Sequence, residues 1–290
     1  MSVYATLAQV KEELNAEGTV DDAEVMRIIR QVSRRIDQKF KARNLFVPTI
    51  QTRRIPIDPS QINSIDGTLS FGVPLLSLTG VGINSQTLTV GTNVQSYPVD
   101  VSPSFQLQLL GDAWTSWYTY YCTGTRGIQF AALSGVWGYN ADYANAWLEV
   151  TTLTAALNSS ATTFTVEDIA GPDPYGDEPA ISPGHVIQID SEWMDVIAAV
   201  TTTEMDVTTN TLTVVRGVNG STAAAHLEDA PISVYIVDES IRRAVVRQTA
   251  FQYARKGAYD SYRIDGLGAT QYPSDMLPEV YALLSLFANM

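Results

Sequence analysis

The sequence predicts an α+β protein in which helical segments from the N- and C-terminal ends form a frame around a long inserted β-rich region of small antiparallel sheets or barrels. Three observations predict it: a helical period over residues 21–40, a second helix over 238–256, and short apolar runs separated by turn residues through most of the chain between. In the first helix Val25, Ile28, Ile29, Val32, Ile36 and Phe40 recur at three- and four-residue steps and form one apolar face. Arg27, Arg30 and Arg34 fall on the opposite face. Thr19, Asp21 and Asp22 offer cap oxygens and early negative charge to the positive end of the helix dipole.

The second helix opens with Asp238, Glu239 and Ser240 and closes with Arg255, Lys256 and Gly257. Its apolar residues occupy two sides. Ile241, Ala244, Val245 and Phe251 make one, and Val246, Ala250 and Tyr253 the other, with Arg242, Arg243 and Arg247 between. A helix apolar on two sides needs two packing partners, either both within its own fold or one from a neighbouring copy. A shorter helix is expected near the start, with Thr6 as cap and Leu7, Val10 and Leu14 at helical spacing.

The 290 residues suffice for two domains. A hydrophobic share of 45% with 17% charged residues places the chain among globular proteins and not disordered ones. No apolar run reaches the roughly 20 residues of a membrane span, and residues 1–16 lack a signal-peptide pattern, so no membrane association and a cytoplasmic origin are expected. The single Cys122 excludes an intrachain disulfide framework. A net charge of -13 argues against wrapping nucleic acid on the outer surface, yet an acidic wall suits a conduit through which DNA passes without sticking.

Four spans follow: N-terminal helices over 1–48, a β-rich domain over 49–148, a second β-module over 149–237, and a C-terminal helix with a docking tail over 238–290. Turn signals at Pro56, Pro59, Gly80, Gly82 and Gly91 break the first β-region into short strands. Residues 114–147 hold a dense aromatic set, Trp114, Trp117, Tyr118, Tyr120, Tyr121, Trp137, Tyr139, Tyr143 and Trp147. It reads either as a sugar-stacking or partner-binding platform or as ordinary β-packing. In the second module the stretches LTAALNSSATTFTV, PGHVIQIDSEWMDV and LTVVRGVNGSTAAAH read as strand, hairpin and strand-loop. Residues 263–269 are too glycine-rich for regular structure. The closing LPEVYALLSLF run is a short apolar helix, and Leu277, Val280, Tyr281, Leu284 and Phe287 are its candidate docking residues.

The chemistry of an enzyme is not visible. His185 and His226 are the only histidines, and both read as turn or strand-end residues. Asp190, Glu192 and Asp195 could hold a hard cation but read as a hairpin with solvated acids; Asp173, Asp177 and Glu178 pose the same choice. Arg216 to Gly220 lacks the ending of a phosphate-binding loop. No cofactor, metal or catalytic residue is assigned.

With YATLAQVKEEL, DDAEVMRIIRQVSRRIDQKF and IRRAVVRQTAFQYARKGAYDS at the ends, and PGHVIQIDSEWMDV with TVVRGVNGSTAAAH in the second module, the sequence resembles the head–tail connector (adaptor or head-completion) proteins of tailed bacteriophages. The resemblance implies a structural virion protein of the neck, assembled in the host cytoplasm. Such a protein forms a ring, commonly twelvefold, beneath the portal protein and extends the DNA channel. It offers a surface to the tail or a second neck protein, with fibres or a capsid collar as further contacts of the β-insertion. On that reading Ile241, Val245, Val246, Ala250, Phe251 and Tyr253 belong to inter-subunit helix faces, and the C-terminal segment docks on the portal. Arg27, Arg30 and Arg34 make a plain solvated face, or meet DNA phosphates or, as suits so acidic a chain, acids of a neighbouring subunit. The alternative function is a β-rich glycan-binding protein of a tail or fibre, resting on the aromatic set.

Overall fold

The computed structural model describes residues 2–19, 21–40, 45–57, 62–63, 67–83, 86–111, 129–172, 176, 178–255, 263–264, 268–269 and 276–287. The chain divides into two compact units, one of Met1–Arg43, Trp147–Val218 and Thr222–Asn289, the other of Asn44–Ala146 with Asn219–Ser221. The expected α+β helical frame is overturned. Among the described residues the protein is mostly β, 40% strand against 23% helix, with two large antiparallel sheets and four helices. Each of those sheets carries a hydrophobic cluster of its own. The misreading has a physical source: an 18-residue amphipathic helix writes a long regular period, whereas a strand of four to six residues writes only two or three alternations.

The 44–146 unit is a seven-stranded sheet. Its main order is β1 (Thr49–Ile57), β7 (Gln129–Trp137), β3 (Thr68–Ile83), β6 (Ser104–Leu109) and β5 (Val94–Tyr97), with β2 (Ile62–Asn63) and β4 (Gln86–Leu88) also on β3. β3 can serve so many neighbours because it is 16 residues long and breaks register against both β6 and β7. One of those breaks needs Gly135, where an added Cβ would lie 2.2 Å from the Ser77 carbonyl oxygen. The core gathers Leu75, Leu107, Leu133 and Trp137, the last meeting Phe71 edge-on at 5.8 Å. The Trp137 indole N–H donates to Gln51 O at 3.0 Å, which satisfies its one polar atom.

The other unit contains a six-stranded sheet, in the order β8 (Trp147–Thr152), β13 (Pro231–Tyr235), β10 (Val186–Ile189), β11 (Glu192–Glu204), β12 (Val207–Val215) and β9 (Thr163–Val166). Leu153 and Val166 form a further antiparallel bridge, so the first and last strands meet and the sheet closes into a small barrel. Ile187, Ile189, Met194, Leu212, Ile232 and Val234 pack its interior. β11 and β12 stay paired as far as Glu204 and Val207, although β10 accompanies β11 only through Asp195 and β9 accompanies β12 only from Asn210 to Thr213. Beyond the barrel they run on as a two-stranded ribbon.

The helices of the same unit are α1 (Leu7–Leu14), α2 (Asp22–Lys39), α3 (Glu239–Ala254) and α4 (Pro278–Ser285). Thr6 caps α1 in a reciprocal box with Gln9, and the Asp238 carboxylate caps α3 through Ser240 N at 3.0 Å. Asp21 precedes α2 but makes no side-chain cap; instead it accepts from the Tyr253 hydroxyl at 2.5 Å. The apolar face of α2 is buried as its period requires, together with Ser33 and Asp37, which accept from Tyr4 N and the Tyr4 hydroxyl. The N-terminal segment also ties the helices to the barrel, because Leu7 N donates to Pro183 O at 3.0 Å and Ala8 N to Ser182 Oγ at 3.2 Å. Arg263–Ile264 and Gly268–Ala269 pair as a minimal antiparallel ladder, where the sequence suggested no regular structure. No described helix is long and apolar enough to cross a membrane.

Gly135→Ala should lower the unfolding free energy by about 1–3 kcal/mol, the usual cost of overpacking a tight site. Urea titration measures it, and an unchanged midpoint would show that β3 and β7 can spread at this point.

Candidate functional site

The densest polar constellation among the described residues is buried in the barrel unit, at the start of β11. Glu192 is 0% exposed, and such a carboxylate is tolerated only when its oxygens are fully paired. Oε1 accepts from Arg216 Nε at 2.7 Å and Gly217 N at 3.1 Å. Oε2 accepts from Arg216 Nη2 at 2.6 Å and Ala224 N at 2.8 Å and faces His226 Nε2 at 3.0 Å. The other His226 nitrogen, Nδ1, lies 2.7 Å from Asp190 Oδ2. Arg216 uses its remaining N–H groups on the carbonyls of Asn158 at 2.8 Å, Ala161 at 2.9 Å and Ala224 at 2.5 Å, so its whole five-donor fork is engaged.

Electrostatics follow from the geometry. Burial pushes the Glu192 carboxyl up, but hydrogen bonds from Arg216, the Ala224 N–H and His226, with the Arg216 charge, outweigh it and hold the group at about 2 against an ordinary 4.5. Both His226 nitrogens meet carboxylates and both Glu192 oxygens are occupied. Glu192, Arg216 and His226 are thus saturated by one another and by the backbone, and Asp190 is the member that reaches solvent. The cluster's work is structural: it knits the 158–161 loop, the first residue of β11 and the 216–226 loop into one body.

This corrects two sequence readings. Glu192 is not a solvated hairpin acid, and His226 is a buried partner of it and not a plain strand-end residue. Asp195 is engaged elsewhere, accepting from Ser2 Oγ at 3.2 Å. The separations are 24 residues from Glu192 to Arg216 and 34 to His226, too far for any local pattern to expose. Glu192 opens β11, whereas Arg216 and His226 lie in the loop that follows β12, so no single element carries the pattern. His185 is a turn residue, its Nδ1 accepting from Ser182 N at 3.1 Å.

The candidate assembly residues are placed as follows. Of the α3 set, Ile241 and Val245 are buried within the unit, while Val246, Ala250, Phe251 and Tyr253 are half-buried. Val246 lines an open cleft of about 420 Å³ between α1 and α3, together with Glu12, Glu13, Glu239, Arg242 and Arg243. Arg247 crosses from α3 to Glu13 at 2.6 Å. Arg27, Arg30 and Arg34 are exposed along α2, Arg27 pairing with Glu24 at 2.6 Å. In the C-terminal segment Val280, Leu284 and Phe287 are buried in their own unit and Leu277 is half-buried. Tyr281 is exposed, with Lys39 Nζ 4.0 Å from its ring centre. Portal contact through the three buried residues would need the helix to detach, so Tyr281 and Leu286 are the apolar groups it presents as it stands.

The aromatic set is only partly within the described residues; Trp114, Trp117, Tyr118, Tyr120 and Tyr121 lie outside them, as do Asp173 and Asp177. Trp137 is fully buried. Trp147 packs on Trp193 at 5.5 Å and on Tyr235 at 5.1 Å, and Tyr139 meets Phe46 at 6.0 Å. Residues 197–211, which no sequence pattern marks, include the projecting ribbon. No family model, curated protein or solved structure matches the chain.

Glu192→Gln should destabilise the protein by about 3–5 kcal/mol at neutral pH, because it strands Arg216 in a dry site. The folded-state value of Glu192 lies below the unfolded one, so its contribution is complete above about pH 4.5 and fades as pH falls toward 2. Denaturant titrations of wild type and variant should therefore converge over that window. A gap that stays constant from pH 6 to pH 2 would contradict the assignment.

Proposed function

We propose that this chain is a structural subunit of the neck of a tailed bacteriophage, a head–tail connector that assembles as a ring under the portal protein, extends the DNA channel and carries the attachment surface for the tail or a further neck protein. The observation that carries the reading is helix α3. One side of it is buried by its own unit; on the other, Val246, Ala250 and Tyr253 stay half-buried, and Val246 lines an open cleft. A ring subunit needs two dissimilar faces, and a helix side that its own unit leaves half-buried can supply part of one.

Two further observations support it. The buried polar cluster is saturated by its own partners, so the module that contains it acts as scaffold. The described aromatic residues that would have favoured glycan binding, Trp137 and Trp147 first, are engaged in packing within their own units. On this reading the protein works in the virion neck after assembly in the host cytoplasm, and DNA passes it without sequence-specific contacts.

Native mass spectrometry of the purified protein, alone and with the portal protein encoded beside it, tests the proposal. The expected result is a closed ring, or monomers that load on the portal in a fixed copy number matching its symmetry. A stable trimer indifferent to the portal and retained on polysaccharide would overturn it in favour of glycan binding.

A further inference from the structure

The ribbon that β11 and β12 extend beyond the barrel departs from how soluble proteins treat exposed strands. Every residue from 200 to 208 is exposed, Met205 by 99%, Val207 by 64% and Val200 by 49%. Among the described residues no strand pairs with β11 after Asp195 on its β10 side, or with β12 before Asn210 on its β9 side. A hairpin with both faces in water is marginal by itself, and free edges are normally guarded by lysine, proline or a covering segment. Residues 196–215 contain no Lys, Arg or Pro and carry a run of Val and Thr instead.

The tip is stranger than the edges. Glu204 pairs with Val207 across a two-residue turn in which Met205 has φ 48° and Asp206 has φ 65°. Turns of this shape favour Asn-Gly or Asp-Gly, because positive φ crowds a Cβ. Methionine at the first position is strained as well as fully exposed. Local strain that a glycine would relieve points to a use for the side chain.

From this geometry we infer that the 197–209 ribbon is an assembly arm whose tip, Glu204, Met205, Asp206 and Val207, docks on the arginine face of α2 in a second copy of this chain. The inference rests on the ring reading and names one of its interfaces. The occupant follows from charge. The tip carries two carboxylates around one flexible apolar side chain, in a chain of net charge -13, so two tips repel. The exposed Arg30 and Arg34 on α2, in one row with Arg27 and its Glu24 pair, offer the complement. Arg30 and Arg34 are one helical turn apart, about 6 Å along the axis, which suits two acids separated by one turn residue. Their aliphatic stems give Met205 and Val207 apolar surface to cover. Eight strand residues reach roughly 25 Å, enough to span from one subunit to the next. Arm and arginine face are different surfaces, so the contact is head-to-tail, as a closed ring requires.

The test uses the full chain in native mass spectrometry and sedimentation velocity, alone and with the portal protein. Glu204→Arg with Asp206→Arg, and separately Arg30→Glu with Arg34→Glu, should each weaken assembly at least about tenfold, and combining all four should restore most of it. Met205→Gly should hold or raise the melting temperature while weakening assembly. Arm variants that assemble like wild type would overturn the inference and leave the ring reading standing. A four-residue combination that fails to restore assembly would mean that the arm meets another surface. Wild type that is monomeric in both settings would sink the ring reading itself.

Discussion

The carboxylate of Glu192 is the constraint on which the barrel unit depends. An ion in a dry interior is tolerated only if every lone pair is met, and meeting them fixes the Arg216 guanidinium, two backbone N–H groups and the His226 ring in one arrangement. Arg216 in turn holds the 158–161 loop, and the backbone of His226 pairs with Leu157 in both directions at 2.8 and 2.9 Å. Three segments far apart in sequence are thereby pinned where β11 begins. β11 is the strand that leaves the barrel to form the ribbon, and Pro183 and Ser182, just before β10, are where the N-terminal segment and α1 attach. A small barrel so fixed can hold a projecting arm and a set of helices in constant positions.

What the sequence made legible was local. The apolar face of α2, the Thr6 cap of α1, the Asp238 cap of α3 and the hairpin turning at Asp190 all follow from residues a few positions apart. The fold class was misread because helical periodicity is loud and strand alternation quiet; VTTTE and VTTNT barely alternate in hydropathy, since neither face of that ribbon is buried. The polar cluster stayed hidden for another reason. Asp190, Glu192, Arg216 and His226 are each unremarkable in their own neighbourhoods, and only barrel closure brings them together. Val280 and Phe287 illustrate the same limit, since an apolar terminal helix reads identically whether it docks on a partner or on its own subunit.

The stretches PGHVIQIDSEWMDV and TVVRGVNGSTAAAH, on which the expected resemblance to connector proteins rests, contribute Glu192, Arg216 and His226. Those three residues hold the barrel together. The surfaces on which assembly is proposed lie elsewhere, in the half-buried side of α3, the arginine row of α2 and the ribbon tip. Rigidity and display are thus assigned to different residues, which is why mutations in one set should move stability and in the other association.

That division is tested most directly by residue-resolved hydrogen exchange on the free and the assembled protein. The account predicts that amides of 186–189, 192–196 and 212–215 exchange slowly in both states, while those of 201–208 exchange quickly when free and become protected on assembly. Ribbon amides that remain fast in the assembled particle, or barrel amides that gain protection only there, would contradict it.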